Sequence, residues 1–193
     1  MVERERAFIA VHFSDEVIAN LTAILSQVRR MIGAQSVVRW VEPRNVHLTL
    51  QFLGDVDLSV IPMLTSELRG AFSDIQPFDV SLTGIGAFPA PTRPRVIWIG
   101  IDSGVDSLKT LQACVEVVTT PLGFIPDRRA FNPHVTLGRV KEDRRPVDLT
   151  KTLAPLHEAQ AGKSRIDAVF LMKSDLKPTG PVYSILDRFP LGR

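Results

Sequence analysis

The string His47-Leu48-Thr49-Leu50 returns as His134-Val135-Thr136-Leu137. Each copy lies in an apolar run that predicts a β-strand. Side chains on a strand alternate faces, so His47 and Thr49 share one face while Leu48 and Leu50 turn to a core. His134 and Thr136 repeat the arrangement, with Val135 and Leu137 behind them. The two copies stand close to half the chain apart. Both apolar faces need cover, and both polar faces carry the same pair of groups. Two related lobes packed around one cleft meet those demands.

The rest of the chain supplies the parts. Ala7 to Phe13 is apolar except for His12 and predicts a central strand. Ser14 or Asp15 can cap a helix in which Val17, Leu21, Ile24, Leu25, Val28 and Ile32 recur at helical spacing before Gly33. A short strand is expected over Val37 to Val41, a turn at Pro43-Arg44-Asn45, and the first motif strand over Val46 to Leu53, stopped by Gly54. A second helix follows from about Leu58 to Phe72, then a half-exposed strand over Phe78 to Ile85. Gly86 to Pro94 reads as a loop, and Arg95 to Ile101 as a strand. A third helix carries Val105, Leu108, Leu111, Val115 and Val118. Pro121 to Pro133 is an irregular loop, and His134 to Val140 the second motif strand. A weak helix is expected over about Val147 to Leu156. Two strands, Ile166 to Met172 and Pro181 to Phe189, close the chain around the turn Lys177-Pro178-Thr179-Gly180. No linker or low-complexity tract divides the 193 residues, so residues 1–193 are expected to form a single bilobal α+β domain.

Composition narrows the function. Hydrophobic residues make up 45% and charged residues 23%, enough to bury a core without cross-links. Cys114 is the only cysteine, which excludes an internal disulfide and a cysteine-rich metal site. The N-terminus mixes acidic and basic residues ahead of a short apolar run, unlike a signal peptide, and no stretch approaches membrane-spanning length. A cytoplasmic protein without membrane partners is expected, and a monomer, since no heptad pattern or apolar stripe calls for assembly. The net charge of +2 is too small to argue for a long nucleic-acid footprint. Local basic pairs at Arg93 and Arg95, Arg128 and Arg129, Arg144 and Arg145, and Lys163 and Arg165 suit a short polyanion better.

Two imidazoles beside two hydroxyls form a set with a chemical use. Near neutral pH one histidine can hold a proton while the other accepts one. Thr49 and Thr136 can donate hydrogen bonds to phosphate oxygens. Together they can cleave a phosphodiester without metal. Arg139 and Phe52 each follow a motif histidine by five residues. Arg139 could hold a phosphate, and Phe52 could stack on a terminal base. Strict alternation turns both away from the histidines unless a bulge near Gly138 or Gly54 re-aims them. His12 reads as a core or groove-wall residue, and His157 as a surface one. Tyr183 could border the groove or serve structure alone. Two other readings compete. One is a metal-dependent phosphoesterase ligated by His47 and His134, which lacks a third ligand at a convincing spacing. The other is a non-catalytic module that binds RNA or nucleotides.

Longer strings carry a resemblance. They include Arg6-Ala7-Phe8-Ile9-Ala10, then Val38-Arg39-Trp40-Val41 leading to Asn45-Val46-His47-Leu48-Thr49-Leu50-Gln51-Phe52-Leu53-Gly54. Gly84-Ile85-Gly86-Ala87-Phe88-Pro89 and Pro94-Arg95-Val96-Ile97-Trp98 follow. Phe131-Asn132-Pro133-His134-Val135-Thr136-Leu137-Gly138-Arg139-Val140 and Met172-Lys173-Ser174-Asp175-Leu176, followed by Gly180 and Tyr183, complete the set. With these the chain resembles the LigT-like family of two-histidine phosphoesterases, the RNA 2′,3′-cyclic phosphodiesterases or 2′-5′ RNA ligases, over nearly its whole length. The resemblance implies two pseudo-symmetric lobes whose antiparallel sheets line a central groove, with helices outside. It implies hydrolysis of an RNA 2′,3′-cyclic phosphate, or of a small cyclic nucleotide, to a 2′-phosphate, with a reversible 2′-5′ ligase activity in some relatives. No metal and no cofactor are expected. His47 is implied as the proton donor to the 3′ oxygen and His134 as the base that activates water.

Overall fold

The computed structural model describes residues 3–33, 38–141, 147–178 and 180–192. Val37, the Arg144 and Arg145 pair and Thr179 lie outside the described residues.

The chain runs β1 (Arg4–Val11), α1 (Asp15–Ile32), β2 (Val38–Trp40), β3 (Leu48–Asp57), α2 (Ile61–Phe72), β4 (Phe78–Phe88), β5 (Val96–Ser103), α3 (Val105–Thr119), β6 (His134–Val140), α4 (Thr150–Leu153), β7 (Gln160–Ile166), β8 (Ala168–Lys177) and β9 (Gly180–Pro190). Two antiparallel sheets result. The first has the order β3-β1-β8-β9, and the second β2-β6-β5-β4-β7.

Each sheet draws on both ends of the chain. β1 and β3 of the first half pair with β8 and β9 of the second, while β2 and β4 join β5, β6 and β7. The helices cross over too. α1 packs on β7 of the second sheet, and α3 packs on β3 of the first. The lobes are therefore not the two halves of the sequence. Their helices cover the outer faces, and one continuous core joins them through Ile9, Leu48 and Leu171 of the first sheet and Ile97, Val135 and Leu137 of the second.

α1 forms where its apolar spacing places it. Ser14 is the cap: its hydroxyl accepts from the Val17 N–H at 3.4 Å, while its own N–H donates to Ser164 Oγ on β7 at 2.8 Å. That second bond fixes the helix entry against the sheet it covers. Asp15 and Glu16 in the first turn and Arg29 and Arg30 in the last complement the helix dipole.

Several expected boundaries shift. The first strand ends at Val11 rather than Phe13. β3 does not stop at Gly54 but continues to Asp57, because Gly54 takes φ +71° inside the strand, beside a register shift. Gly86 to Phe88, expected as loop, belongs to β4, where glycines let the backbone approach a bulky neighbour. The helix expected over Val147 to Leu156 shrinks to α4 and a following 3₁₀ turn at Ala154–Leu156. β7 was not expected. Its run Gln160-Ala161-Gly162-Lys163-Ser164-Arg165-Ile166 is polar on alternate positions and short of large apolar residues, since only one face is covered.

Candidate active site

β3 is the edge strand of the first sheet, and β6 lies between β2 and β5 in the second; the two strands touch. Register shows which side chains share the inner faces. Directly paired residues of an antiparallel ladder lie on the same face. On β5, Val96, Trp98 and Gly100 alternate onto one face and pair with Arg139, Thr136 and His134. On β1, Phe8 and Ala10 share a face and pair with Phe52 and Thr49.

Both motif strands carry a bulge just after the threonine. Ile97 pairs with Gly138 and Trp98 with Thr136, which leaves Leu137 extra. Ile9 pairs with Gln51 and Ala10 with Thr49, which leaves Leu50 extra. One unpaired residue inverts the alternation beyond it. Phe52 therefore joins Thr49, and Arg139 joins His134 and Thr136, on the inner faces. The burial follows: Leu50 with Gln51, and Leu137 with Gly138, are buried together as consecutive residues, while Phe52 and Arg139 are exposed. Gly138 is needed at its bulge, since a Cβ there would stand 2.7 Å from Val38 Cγ1 and 2.9 Å from the Trp40 ring.

The histidines are held alike. His47 Nδ1 lies 2.7 Å from the Asn45 carbonyl oxygen, and His134 Nδ1 lies 2.7 Å from that of Asn132. In each case the ring N–H donates to a carbonyl two residues back, which leaves Nε2 unprotonated in the neutral ring and fixes its aim. His47 Nε2 is 3.1 Å from Thr49 Oγ1. Asn45 sits in a 3₁₀ turn at Pro43–Asn45, and its side-chain amide donates to the Pro181 carbonyl of β9 at 3.1 Å. The motif is thus longer than H-x-T: Asn-x-His-x-Thr-Leu occurs at both places. The doubled asparagine was legible in the sequence, but its use is a backbone carbonyl, which no side-chain pattern announces.

Aromatic rings flank both imidazoles. Phe8 lies 4.8 Å and Tyr183 5.2 Å from His47, centroid to centroid, and Phe88 lies edge-on to His134 at 5.1 Å. Phe88 rests in turn on Trp98 at 5.0 Å. Phe8, Ala10 and Met172 form a small apolar cluster with Phe170 and Tyr183, separate from the main core. It is the floor of the groove on the first sheet. Enclosure by these groups pushes the His47 pKa down to about 4; the Asn45 hydrogen bond opposes the shift, and the charges of His12 and Arg139 add to it. Arg139 thus acts electrostatically on His47 from the opposite sheet. It also acts on Tyr183, whose hydroxyl is raised by burial and lowered in part by Arg139 and Arg6. His12 stacks on Phe170 at 4.3 Å, and burial lowers its pKa. Tyr183 and His12 border the groove, as allowed from sequence.

Other residues singled out in the sequence have contacts of their own. Arg129 is held by Asp127, with contacts of 2.7 and 3.1 Å, and Arg165 pairs with Asp79 at 3.8 Å. His157 is a surface residue beside Glu158. Cys114 is half-buried, with its thiol pushed up by burial and 3.7 Å from the Ala71 carbonyl. Among the described residues no three His, Cys, Asp or Glu side chains gather as a metal-binding group, and no helix is long and apolar enough to cross a membrane.

Comparison with known proteins agrees with this geometry. The sequence model of the 2′-5′ RNA ligase superfamily matches residues 13–178. A protein of Methanothermobacter thermautotrophicus named RNA 2′,3′-cyclic phosphodiesterase is 32% identical over 96% of this chain and 98% of its own length. One of the same name from Aeropyrum pernix is 36% identical over 84% of this chain and 92% of its own. A crystal structure from Thermus thermophilus superposes with a TM-score of 0.80 at 28% identity, covering 96% of this chain and 97% of that one.

Proposed function

Since this chain belongs to the 2′-5′ RNA ligase superfamily, we propose that it is an RNA 2′,3′-cyclic phosphodiesterase, hydrolysing a cyclic phosphate at an RNA 3′ end to a 2′-phosphomonoester. The observation that carries the reading is the doubled Asn-x-His-x-Thr device. Two imidazoles with the same Nδ1 anchor stand on the inner faces of two touching sheets.

The reaction needs two proton transfers. A water oxygen bonds to phosphorus as the bond from phosphorus to the 3′ oxygen breaks. His134 Nε2 takes the water's proton. His47 Nε2–H protonates the departing 3′ oxygen, leaving the phosphate on the 2′ position. Thr49 and Thr136 donate hydrogen bonds to the non-bridging oxygens as charge builds on them. Arg139 neutralises the phosphate, and Phe52 stacks on the terminal base. No step calls for a metal ion. With the 5′-hydroxyl of a second RNA in place of water, the same step in the same direction forms a 2′-5′ bond, and its reverse cleaves that bond back to the cyclic phosphate.

The low pKa of His47 sets a condition on its role as acid. In the free protein the ring is neutral at pH 7. A bound phosphodiester anion about 4 Å away contributes about 4 kcal/mol at an effective dielectric constant near 20, or about 3 pKa units upward. Substrate binding therefore lets His47 take a proton from solvent, and His47 becomes an acid only in the complex.

Incubating the protein with a short RNA ending in a 2′,3′-cyclic phosphate tests the reading. Phosphorus NMR should show a 2′-phosphomonoester; a 3′-phosphate product would refute the assigned regiochemistry, and no turnover would refute the activity.

A further inference from the structure

A pocket of about 150 Å³ opens beside His47, on the side away from Phe52. His47 lines it together with the apolar side chains of Val46, Met172 and Ile185, the ring of Tyr183 and the polar residues His12, Arg44 and Asn45. Pockets for whole drug-sized ligands run to roughly 300–1,000 Å³, so this one fits a single planar ring system and not a complete nucleotide. No carboxylate lines it. The Asn45 amide nitrogen is occupied by the Pro181 carbonyl, and one face of the His12 ring is covered by its stack on Phe170. Arg44 is exposed and makes no hydrogen bond or ion pair among the described residues. Ile185 is 55% exposed although it is the cross-strand partner of Met172 in the apolar floor. An exposed guanidinium and an exposed apolar side chain in one pocket leave two kinds of ligand surface unmet, one anionic and one flat and apolar.

Resting on the cyclic phosphodiesterase reading, we propose that this pocket is a subsite for the penultimate nucleotide of the RNA: its base lies between Tyr183 and Ile185, and Arg44 holds the phosphodiester that joins it to the terminal nucleotide. The placement follows from the strand. Phe52 lies on one side of the His47–Thr49 pair and receives the terminal base; the pocket, formed by the residues just before His47, lies on the other. A chain extending from the cyclic end passes over Arg44. The subsite discriminates by length, because a cyclic mononucleotide has neither the second base nor the linking phosphodiester.

The test compares kcat/KM for a dinucleotide ending in a 2′,3′-cyclic phosphate with that for the cyclic mononucleotide. The wild-type protein should prefer the dinucleotide, and the preference should shrink as salt is raised. Arg44→Ala should cost roughly tenfold more on the dinucleotide than on the mononucleotide, the worth of one charged hydrogen bond. Ile185→Glu, which sets a carboxylate on the wall, should do the same, and its exposure lets it be changed without unfolding. Equal losses on both substrates, or no loss on either, would overturn the subsite while cyclic phosphodiesterase activity stood. Failure of the wild-type protein to turn over either substrate would overturn the activity itself, and the subsite with it.

Discussion

Leu50 and Leu137 hold equivalent places: each follows a motif threonine, and each is the unpaired residue of a β-bulge. The bulges turn Phe52 and Arg139 onto the same faces as Thr49 and Thr136. Two lobes with unlike strand orders thus present the same local device. An aromatic ring takes the fifth place after the histidine on one side, and a guanidinium on the other. The pairing is suited to a ligand with a base at one end and a phosphate at the other.

Arg139→Ala should lower kcat/KM on cyclic-phosphate RNA by roughly 10–100-fold, the loss of a charge-assisted contact. Phe52→Ala should raise KM by roughly 5–100-fold through lost stacking while changing kcat less. Steady-state kinetics of both variants measure this. Wild-type constants for either would remove that residue from the site.

His47→Ala and His134→Ala should each reduce turnover by about 10²–10⁴-fold, and Thr49→Ala and Thr136→Ala by about 10–10³-fold. The residual pH dependence assigns the roles. With His134 gone, the remaining His47 acid should make activity fall as pH rises. The opposite slope would exchange the two assignments, and an undiminished histidine variant would end the two-histidine mechanism.

The enclosure of His47 has a cost in acid. Its pKa is about 4 in the fold and about 6.5 when unfolded, so between those values the unfolded chain binds the extra proton and stability rises with pH. This group's contribution is fully present above pH 6.5 and is lost as pH falls toward 4, by about 3 kcal/mol at most. His12, also lowered by burial, acts in the same direction. Denaturant titrations at pH 7.5 and pH 4.5 should show a smaller acid loss for His47→Gln than for the wild type. Equal losses would mean that the imidazole is not desolvated.

Extensive treatment with EDTA should leave turnover unchanged, because the proposed proton transfers and charge stabilisation use only side chains. Loss of activity restored by zinc or manganese would instead give the histidines to a metal.

Much of this protein was legible one residue at a time. The α1 helix, its Ser14 cap and the second motif strand at His134–Val140 follow from apolar spacing and a capping hydroxyl, which are local and act within a few residues. The histidine and threonine pairs were legible because a strand's alternation is local too. The facing of Phe52 and Arg139 was not, because a bulge depends on which partner strand lies alongside; the string Thr-Leu-Gln-Phe has no mark of it. The lobes were not legible either. The sequence divides at its middle, but β1 finds its second neighbour in β8, and α1 and α3 each cover a strand of the other lobe. Nor could sequence place Phe8, Tyr183 and Met172 around His47 or lower its pKa, since those residues come from three distant strands. The sequence by itself determined which groups the two motif strands carry and the faces they share within a strand. Tertiary structure alone decided register, lobe membership and the enclosure of the imidazole, because each arises from contacts between segments far apart in the chain.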